Sequence, residues 1–313
     1  KSFMHDYHDH NLEEFDDNTL YLPYATSLRM GDIGYQNSQE DEKGVKANYN
    51  SLCHYIYSLR AAMKTSCEDF EKIGLKKNGE YQQLNTNILQ IANEYYSSVR
   101  PKPILYGNDR PLRALHNKGI GYIEIRSLDI NPMLEVGIDK EQIEFLEAFL
   151  LFCLLEDSPA IPSSELVEID SNALLVAHQG RQPNLILEHI GEKVTLANWG
   201  ESLFKKIKQC SRLLSDAHQE SVESISIRIK NPDLTPSAIM LNEMKRQEKG
   251  FFEFTDQYSH KYKTQNQEKA FDKDYFIRLD EHSIRSIKEQ QEVESKDDIN
   301  FDQFLEKYFE DDA

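Results

Sequence analysis

Gly121-Tyr-Ile-Glu-Ile-Arg-Ser-Leu-Asp-Ile-Asn-Pro132 reads as a β-strand that runs into a turn. Side chains alternate along a strand, so Ile123 and Ile125 take the core face and Tyr122, Glu124 and Arg126 the opposite one. Apolar Ile120 before them, and Leu128 and Ile130 after, predict a strand well inside a sheet. A carboxylate and a guanidinium in such a place need strong partners, and a metal ion and a bound anion would both serve. The plainer alternative is that the two charges pair with neighbouring strands.

Upstream, residues 1–50 are rich in Asp, Asn and Gly, which predicts loop and short strand around Leu20–Tyr24 and Thr26–Met30. Ser51 to Lys64 carries Leu52, Tyr55, Ile56, Leu59 and Met63 at helical spacing, with Ser51 placed to cap the N-terminus. Tyr81 to Ala92 alternates and predicts a strand with one partly polar face, as a lined cavity would need. Pro101 and Pro103 then enforce an extended course, with Arg100 and Lys102 flanking Pro101.

Downstream the pattern turns helical. Asp139 to Leu155 predicts a buried helix capped by Asp139, and Ser163 to His178 another that ends near Gly180. Long helical patterns cover Asn198 to Ala217, Thr235 to Lys263 and Lys273 to Glu294. Phe301, Phe304, Leu305 and Tyr308 form a last apolar stripe. The expectation is an α+β fold: a sheet-containing part over 1–135 and a largely helical region over 136–313.

The 313 residues suffice for a full core. The longest apolar run, Phe145 to Leu155, is interrupted by Glu147 and is shorter than the roughly 18 residues of a bilayer crossing. Thirty-six basic against 54 acidic side chains give a formal net charge of −18, which disfavours nucleic acid and anionic lipid as partners. A polyanionic ligand would have to be met by local positive charge. Cys53, Cys67, Cys153 and Cys210 form no CxxC pair, which argues against a zinc site or disulfide framework and for a reducing cytoplasm. The run His5-Asp-Tyr-His-Asp-His10 has transition-metal ligand types, but a solvated polar loop is its expected state.

Neither a Walker loop nor a dinucleotide fingerprint occurs, since Gly31-Asp-Ile-Gly34 and Gly119-Ile-Gly121 are too short. A bound nucleotide would depend on arginines that grip phosphate and on carboxylates that hold magnesium. Arg29, Arg126, Arg100 and Lys102 are candidates for the first role and Glu124 for the second. Taken singly, each also reads as an ordinary solvated or neighbour-paired charge.

Three motifs in order change that weighting. Tyr21-Leu-Pro-Tyr-Ala-Thr-Ser-Leu-Arg-Met-Gly-Asp-Ile-Gly-Tyr35, Leu89-Gln-Ile-Ala-Asn-Glu-Tyr-Tyr96 with Arg100-Pro-Lys102, and Tyr122 to Pro132 closely resemble glutamate-cysteine ligases of the proteobacterial type. The resemblance extends through Ser163–Leu166 and Asn231–Thr235 to the C-terminal helix, and begins partway through the family pattern. It implies a fold similar to glutamine synthetase, a curved antiparallel sheet with helices outside. It also implies ATP- and magnesium-dependent joining of the γ-carboxylate of L-glutamate to the amine of L-cysteine through a γ-glutamyl phosphate, as the first step of glutathione biosynthesis.

By the same resemblance Glu124 is a magnesium ligand, and Arg126 contacts the transferring phosphoryl group and the glutamyl carboxylate. Arg29 recognises a substrate carboxylate, Tyr35 and Tyr96 line the cysteine pocket, and Arg100 and Lys102 lie near the nucleotide phosphates. Arg126 and Arg29 are the expected catalytic pair. The family's other metal-binding glutamates belong to a segment upstream of the matching motifs. The chain is therefore expected to be the C-terminal part of the enzyme, inactive or nearly so alone, and a monomer. Gly31 stands where many relatives carry serine, a change expected to affect only local loop geometry. Two other readings are a ligase that couples glutamate to a different small amine, and a non-catalytic interaction module.

Overall fold

The computed structural model describes residues 11–34, 46–107, 109–269 and 272–310. Tyr35 and the run His5–His10 lie outside the described residues. The architecture is α+β: helices joined by loops, with four small two-stranded sheets among the described residues. Before residue 135 the elements are β1 (Glu13–Glu14), β2 (Leu20–Tyr21), α1 (Leu52–Lys64), α2 (Glu68–Ile73), β3 (Lys76–Lys77), β4 (Glu80–Tyr81), β5 (Val99–Lys102), α3 (Pro111–Lys118) and β6 (Tyr122–Ile125). After it come α4 (Lys140–Leu155), α5 (Ser163–Gln179), β7 (Ile186–His189), β8 (Glu192–Thr195), α6 (Leu196–Ser211) and α7 (Asp216–Lys230). The last helices are α8 (Pro236–Gln247), α9 (Phe251–Glu268), α10 (Lys273–Glu294) and α11 (Phe301–Glu310). None of the described helices is long and apolar enough to cross a membrane.

The chain forms two compact units: one holds Lys1–Ser38, Tyr96–Val99 and Ile125–Lys261, the other Gln39–Tyr95, Arg100–Glu124 and Tyr262–Ala313. The first is built on α4, α6 and α7. Helix α4 packs on two partners: Ala148 and Phe152 are buried with Ile207 of α6 and Val222 of α7, while Leu154 and Leu155 at its end stay exposed. Phe145 stacks on Phe149 and Phe204 at ring separations of 6.1 and 5.5 Å. Asp139 caps α4 as expected, its Oδ1 accepting from the Gln142 N–H at 2.8 Å.

Two long helical patterns break where the local chemistry demands. Asn198–Ala217 divides at Arg212–Ser215, where Ser215 caps α7 by accepting from the His218 N–H. Thr235–Lys263 divides at Glu248–Gly250, because Glu248 takes a left-handed conformation with φ +53°. Gly250 lets the side chains of Asp16 and Thr19 approach the start of α9. A Cβ on it would meet Asp16 Oδ2 at 1.9 Å, and the Thr19 hydroxyl accepts from the next N–H, Phe251, at 3.1 Å.

The second unit buries Tyr55, Ile56, Leu59, Ala62 and Met63 of α1 against Leu89, Tyr95, Leu112 and Leu115. Ser51 caps α1, accepting from the His54 N–H at 3.1 Å. The expected strand over Tyr81–Ala92 does not form. Beyond β4 the segment makes one isolated bridge, Asn87 to Ser66, and short-range amide bonds replace a ladder. The Asn85 side chain accepts from the Asn87 N–H at 2.9 Å, and the Asn87 side chain donates to the Met63 carbonyl at 2.5 Å. Asparagines offer the backbone an alternative to sheet pairing, and here the alternative prevails.

The opening stretch also differs from expectation. Among the described residues strand β6 pairs with β5 in a two-stranded sheet, and Tyr122 and Ile123 are each 52% exposed, so Ile123 is not buried in a core. A ribbon of two strands has too little surface to bury both of its faces. Glu124 lies within β6 and Arg126 follows its last residue.

Candidate active site

In the first unit the site is assembled from the loop after β2. The N–H groups of Thr26 and Ser27 donate to the Ala177 carbonyl at 3.0 and 3.3 Å, and the Thr26 hydroxyl to the Val176 carbonyl at 2.6 Å. Both carbonyls belong to the last turn of α5, where Val176 also accepts from the Gly180 N–H at 2.9 Å while the Arg181 N–H turns away to Tyr24 and leaves the Ala177 carbonyl to the loop. Arg181, just past that end, closes the joint: its Nε donates to the Ala25 carbonyl at 3.0 Å and its Nη2 to the Pro23 carbonyl at 2.6 Å. Burial lowers the Arg181 pKa from its ordinary value, but a guanidinium stays charged in proteins.

On this anchored loop Arg29 sits in a single helical turn, Leu28–Met30. Its Nε donates to Asp129 Oδ1 at 2.5 Å, and its Nη2 donates to the carbonyls of Arg126 and Leu128 at 3.2 and 3.0 Å. Arg126 is partly buried, and its N–H donates to the Ser98 carbonyl at 2.8 Å. Tyr96 belongs to the same unit and is 46% exposed. A cavity of about 750 Å³ lies beside the loop, walled by Leu20, Arg29, Asp129, Arg181, Met240 and Met244 among others. Most of its lining is apolar, as small-molecule pockets commonly are.

Gly31 does more than shape its loop. It is buried, and a Cβ there would come within 2.7 Å of His178 Nε2, which is 2.9 Å from Asp32 Oδ1. The missing side chain makes room for that pair against α5, a consequence that sequence position alone did not show.

The second unit holds the remaining candidates. Lys102 Nζ lies 3.3 Å from Glu124 Oε2, with both side chains about one-quarter to one-third exposed. Arg100 is 5% exposed, its Nη2 donates to the Asn93 carbonyl at 3.4 Å, and its buried Nε has no hydrogen-bond partner. Tyr55, also buried, has its phenol pushed up to about 12, first by burial and then by Tyr49 and Glu124, with Arg100 acting against the shift. Among the described residues, no three His, Cys, Asp or Glu side chains come together as a metal cluster.

The structure therefore brings Arg29 to the backbone of Arg126, and Lys102 to Glu124. Two participants went unnoticed in the sequence. Asp129 stands in the opening stretch, but nothing in its spacing says which arginine it meets. Arg181 carried no signal, because its partners are main-chain carbonyls that every residue possesses.

The glutamate-cysteine ligase family matches residues 1–176. Over 302 residues the chain is 42% identical to a glutamate-cysteine ligase of Pseudomonas paraeruginosa, an alignment covering 95% of this chain and 57% of that protein. It is 41% identical over 304 residues to one of Pseudomonas entomophila, covering 96% and 57%. The chain thus spans a little over half the length of these relatives. The structure is similar to a glutamate-cysteine ligase of Francisella tularensis solved in complex with AMP: TM-score 0.92, 29% identity, 99% of this chain and 62% of that one. A bifunctional glutathione synthetase of Pasteurella multocida, at TM-score 0.52 and 21% identity over 81% of this chain and 28% of its own, shares the fold alone.

Proposed function

The chain belongs to the glutamate-cysteine ligase family, and from that premise we propose that it carries the substrate-facing part of a cytoplasmic ligase. The reaction joins the γ-carboxylate of L-glutamate to the amine of L-cysteine at the expense of ATP, and opens glutathione biosynthesis. The observation that supports this reading most is the meeting of two family motifs in one unit. Arg29 of the first motif holds the backbone of Arg126 in the last.

A γ-carboxylate oxygen attacks the γ-phosphorus of ATP, ADP leaves, and γ-glutamyl phosphate remains. The cysteine amine then attacks the acyl carbon, the bond from that carbon to the phosphate oxygen breaks, and phosphate departs as the nitrogen loses a proton. Both steps move negative charge among oxygens, so fixed cations contribute most of the catalysis. Arg126 would hold the phosphoryl oxygens and the carboxylate through its planar fork, with Arg29 bound to its backbone carbonyl. In the family reading Tyr96 serves the cysteine pocket with a phenol donor and a ring face, and Tyr35, outside the described residues, is assigned the same role. Arg100, 5% exposed, would act on the nucleotide phosphates through its charge, while the less buried Lys102 would contact a phosphate directly. The AMP bound to the Francisella relative supports a nucleotide here.

Magnesium takes six oxygen ligands and usually keeps several waters and substrate phosphates among them. The described residues fit one such position, the Glu124 carboxylate, which Lys102 now neutralises. With nucleotide phosphates and further carboxylates completing its shell, the ion would offset charge on the transferring group.

Phosphate release by a full-length ligase containing this chain, measured with ATP, magnesium and L-glutamate against a panel of small amines, tests the proposal. Cysteine is expected to outrun other acceptors by at least about 10-fold, the discrimination a fitted pocket gives for a single small group. Equal rates across the panel would assign a different acceptor, and no release with any amine would favour a non-catalytic role.

A further inference from the structure

We infer that Asp129 is a positioning residue for the ligation site, locking Arg29 into a clasp around the backbone of Arg126 and Leu128 that fixes where Arg126 presents its side chain. The inference rests on the ligase reading given above and adds a residue to it.

The clasp is made of three bonds from one guanidinium. Asp129 Oδ1 takes Nε at 2.5 Å, and Nη2 divides between the carbonyls of Arg126 at 3.2 Å and Leu128 at 3.0 Å. A guanidinium is planar, so fixing Nε fixes the direction of Nη2 as well. Without the carboxylate the plane is free to turn, and both carbonyls lose their donor together. Arg29 is itself held from behind, because Thr26, Ser27 and Arg181 tie its loop to the end of α5. The clasp thereby carries the position of a helix to Arg126, whose N–H is bound in turn to the Ser98 carbonyl at 2.8 Å.

The ion pair is too exposed to matter much for stability, since the side chains of Arg29 and Asp129 are 38% and 44% accessible. Its value is directional. Arginine that merely awaited a substrate carboxylate would have no need of two backbone acceptors on the neighbouring motif.

The test compares the wild-type enzyme with Asp129→Asn and Asp129→Glu. Backbone hydrogen exchange over residues 126–134 is expected to quicken about fivefold or more in Asp129→Asn, where the clasp opens locally. The helices α4, α6 and α7 and the melting temperature should stay unchanged. In the ligation assay Asp129→Asn should lose about 10- to 100-fold in kcat, the scale of a small misplacement of a reacting group. The KM for cysteine should be unaltered, and Asp129→Glu should recover most of the loss. Unchanged exchange over 126–134 overturns the clasp, and faster exchange with wild-type kcat overturns its positioning role. A wild-type enzyme that ligates nothing tells against the ligase reading alone, and the exchange data then decide the clasp without it.

Discussion

Replacement of Arg126 by alanine in the ligase is expected to lower kcat by roughly 100- to 1000-fold, the measured scale for removing one preorganised donor from a site where oxyanion charge develops. The side chain is partly buried but does not belong to either hydrophobic cluster, so the fold should survive. The main-chain bonds that place the residue, from its own N–H to Ser98 and from Arg29 to its carbonyl, do not depend on its side chain. Circular dichroism and melting temperature should therefore match wild type while turnover collapses. Lysine at 126 should recover only part of the loss, because it keeps the charge and not the fork. Wild-type turnover in the alanine variant would remove Arg126 from the mechanism.

Phe254→Ala should have the largest effect on stability. The residue is 0% exposed at the first full turn of α9, with its ring 5.2 Å from that of Tyr258. Deleting a buried phenylalanine side chain costs about 3–5 kcal/mol, from lost transfer energy and from the cavity left behind. For a unit of this size that corresponds to a drop in melting temperature on the order of 10 °C. Equilibrium urea unfolding followed at 222 nm measures it. A loss below about 1 kcal/mol would mean that the site collapses around the gap, contrary to the close packing seen here.

How much of this was legible in the sequence depends on the range of the interaction. Capping by Ser51 and Asp139 was readable because a cap acts over three residues, and both form as expected. The bounds of α10, Lys273–Glu294, were equally local. The breaks at Arg212–Ser215 and Glu248–Gly250 were not, although Gly250 offered a hint. Its role depends on Asp16 and Thr19, more than 200 residues away in the chain. Alternation over Tyr81–Ala92 misled because Asn85 and Asn87, two residues apart, mimic the period of a strand while their amides compete with one.

At the site, residue types were readable and connections were not. Arg29, Arg126, Glu124 and Lys102 were singled out by motif, and the structure joins them in two pairs within separate units. The expectation that Glu124 and Arg126 line the face of an inner strand gave way to a two-stranded ribbon with Ile123 exposed. Asp129 and Arg181 act through backbone carbonyls and a joint at the end of α5, which no spacing rule reaches. The helical half of the α+β class followed from periodicity, whereas the sheet part and the organisation of the site did not.

The central claim is that glutamate is activated by phosphorylation of its side-chain carboxylate before the amine arrives. Turnover of L-glutamate carrying ¹⁸O in both γ-carboxylate oxygens, with ATP, magnesium and cysteine, tests it by mass analysis of the phosphate released. One labelled oxygen is expected in each phosphate, since the carboxylate oxygen that attacks phosphorus departs with it. Phosphate free of label, formed in step with the dipeptide, would contradict the account.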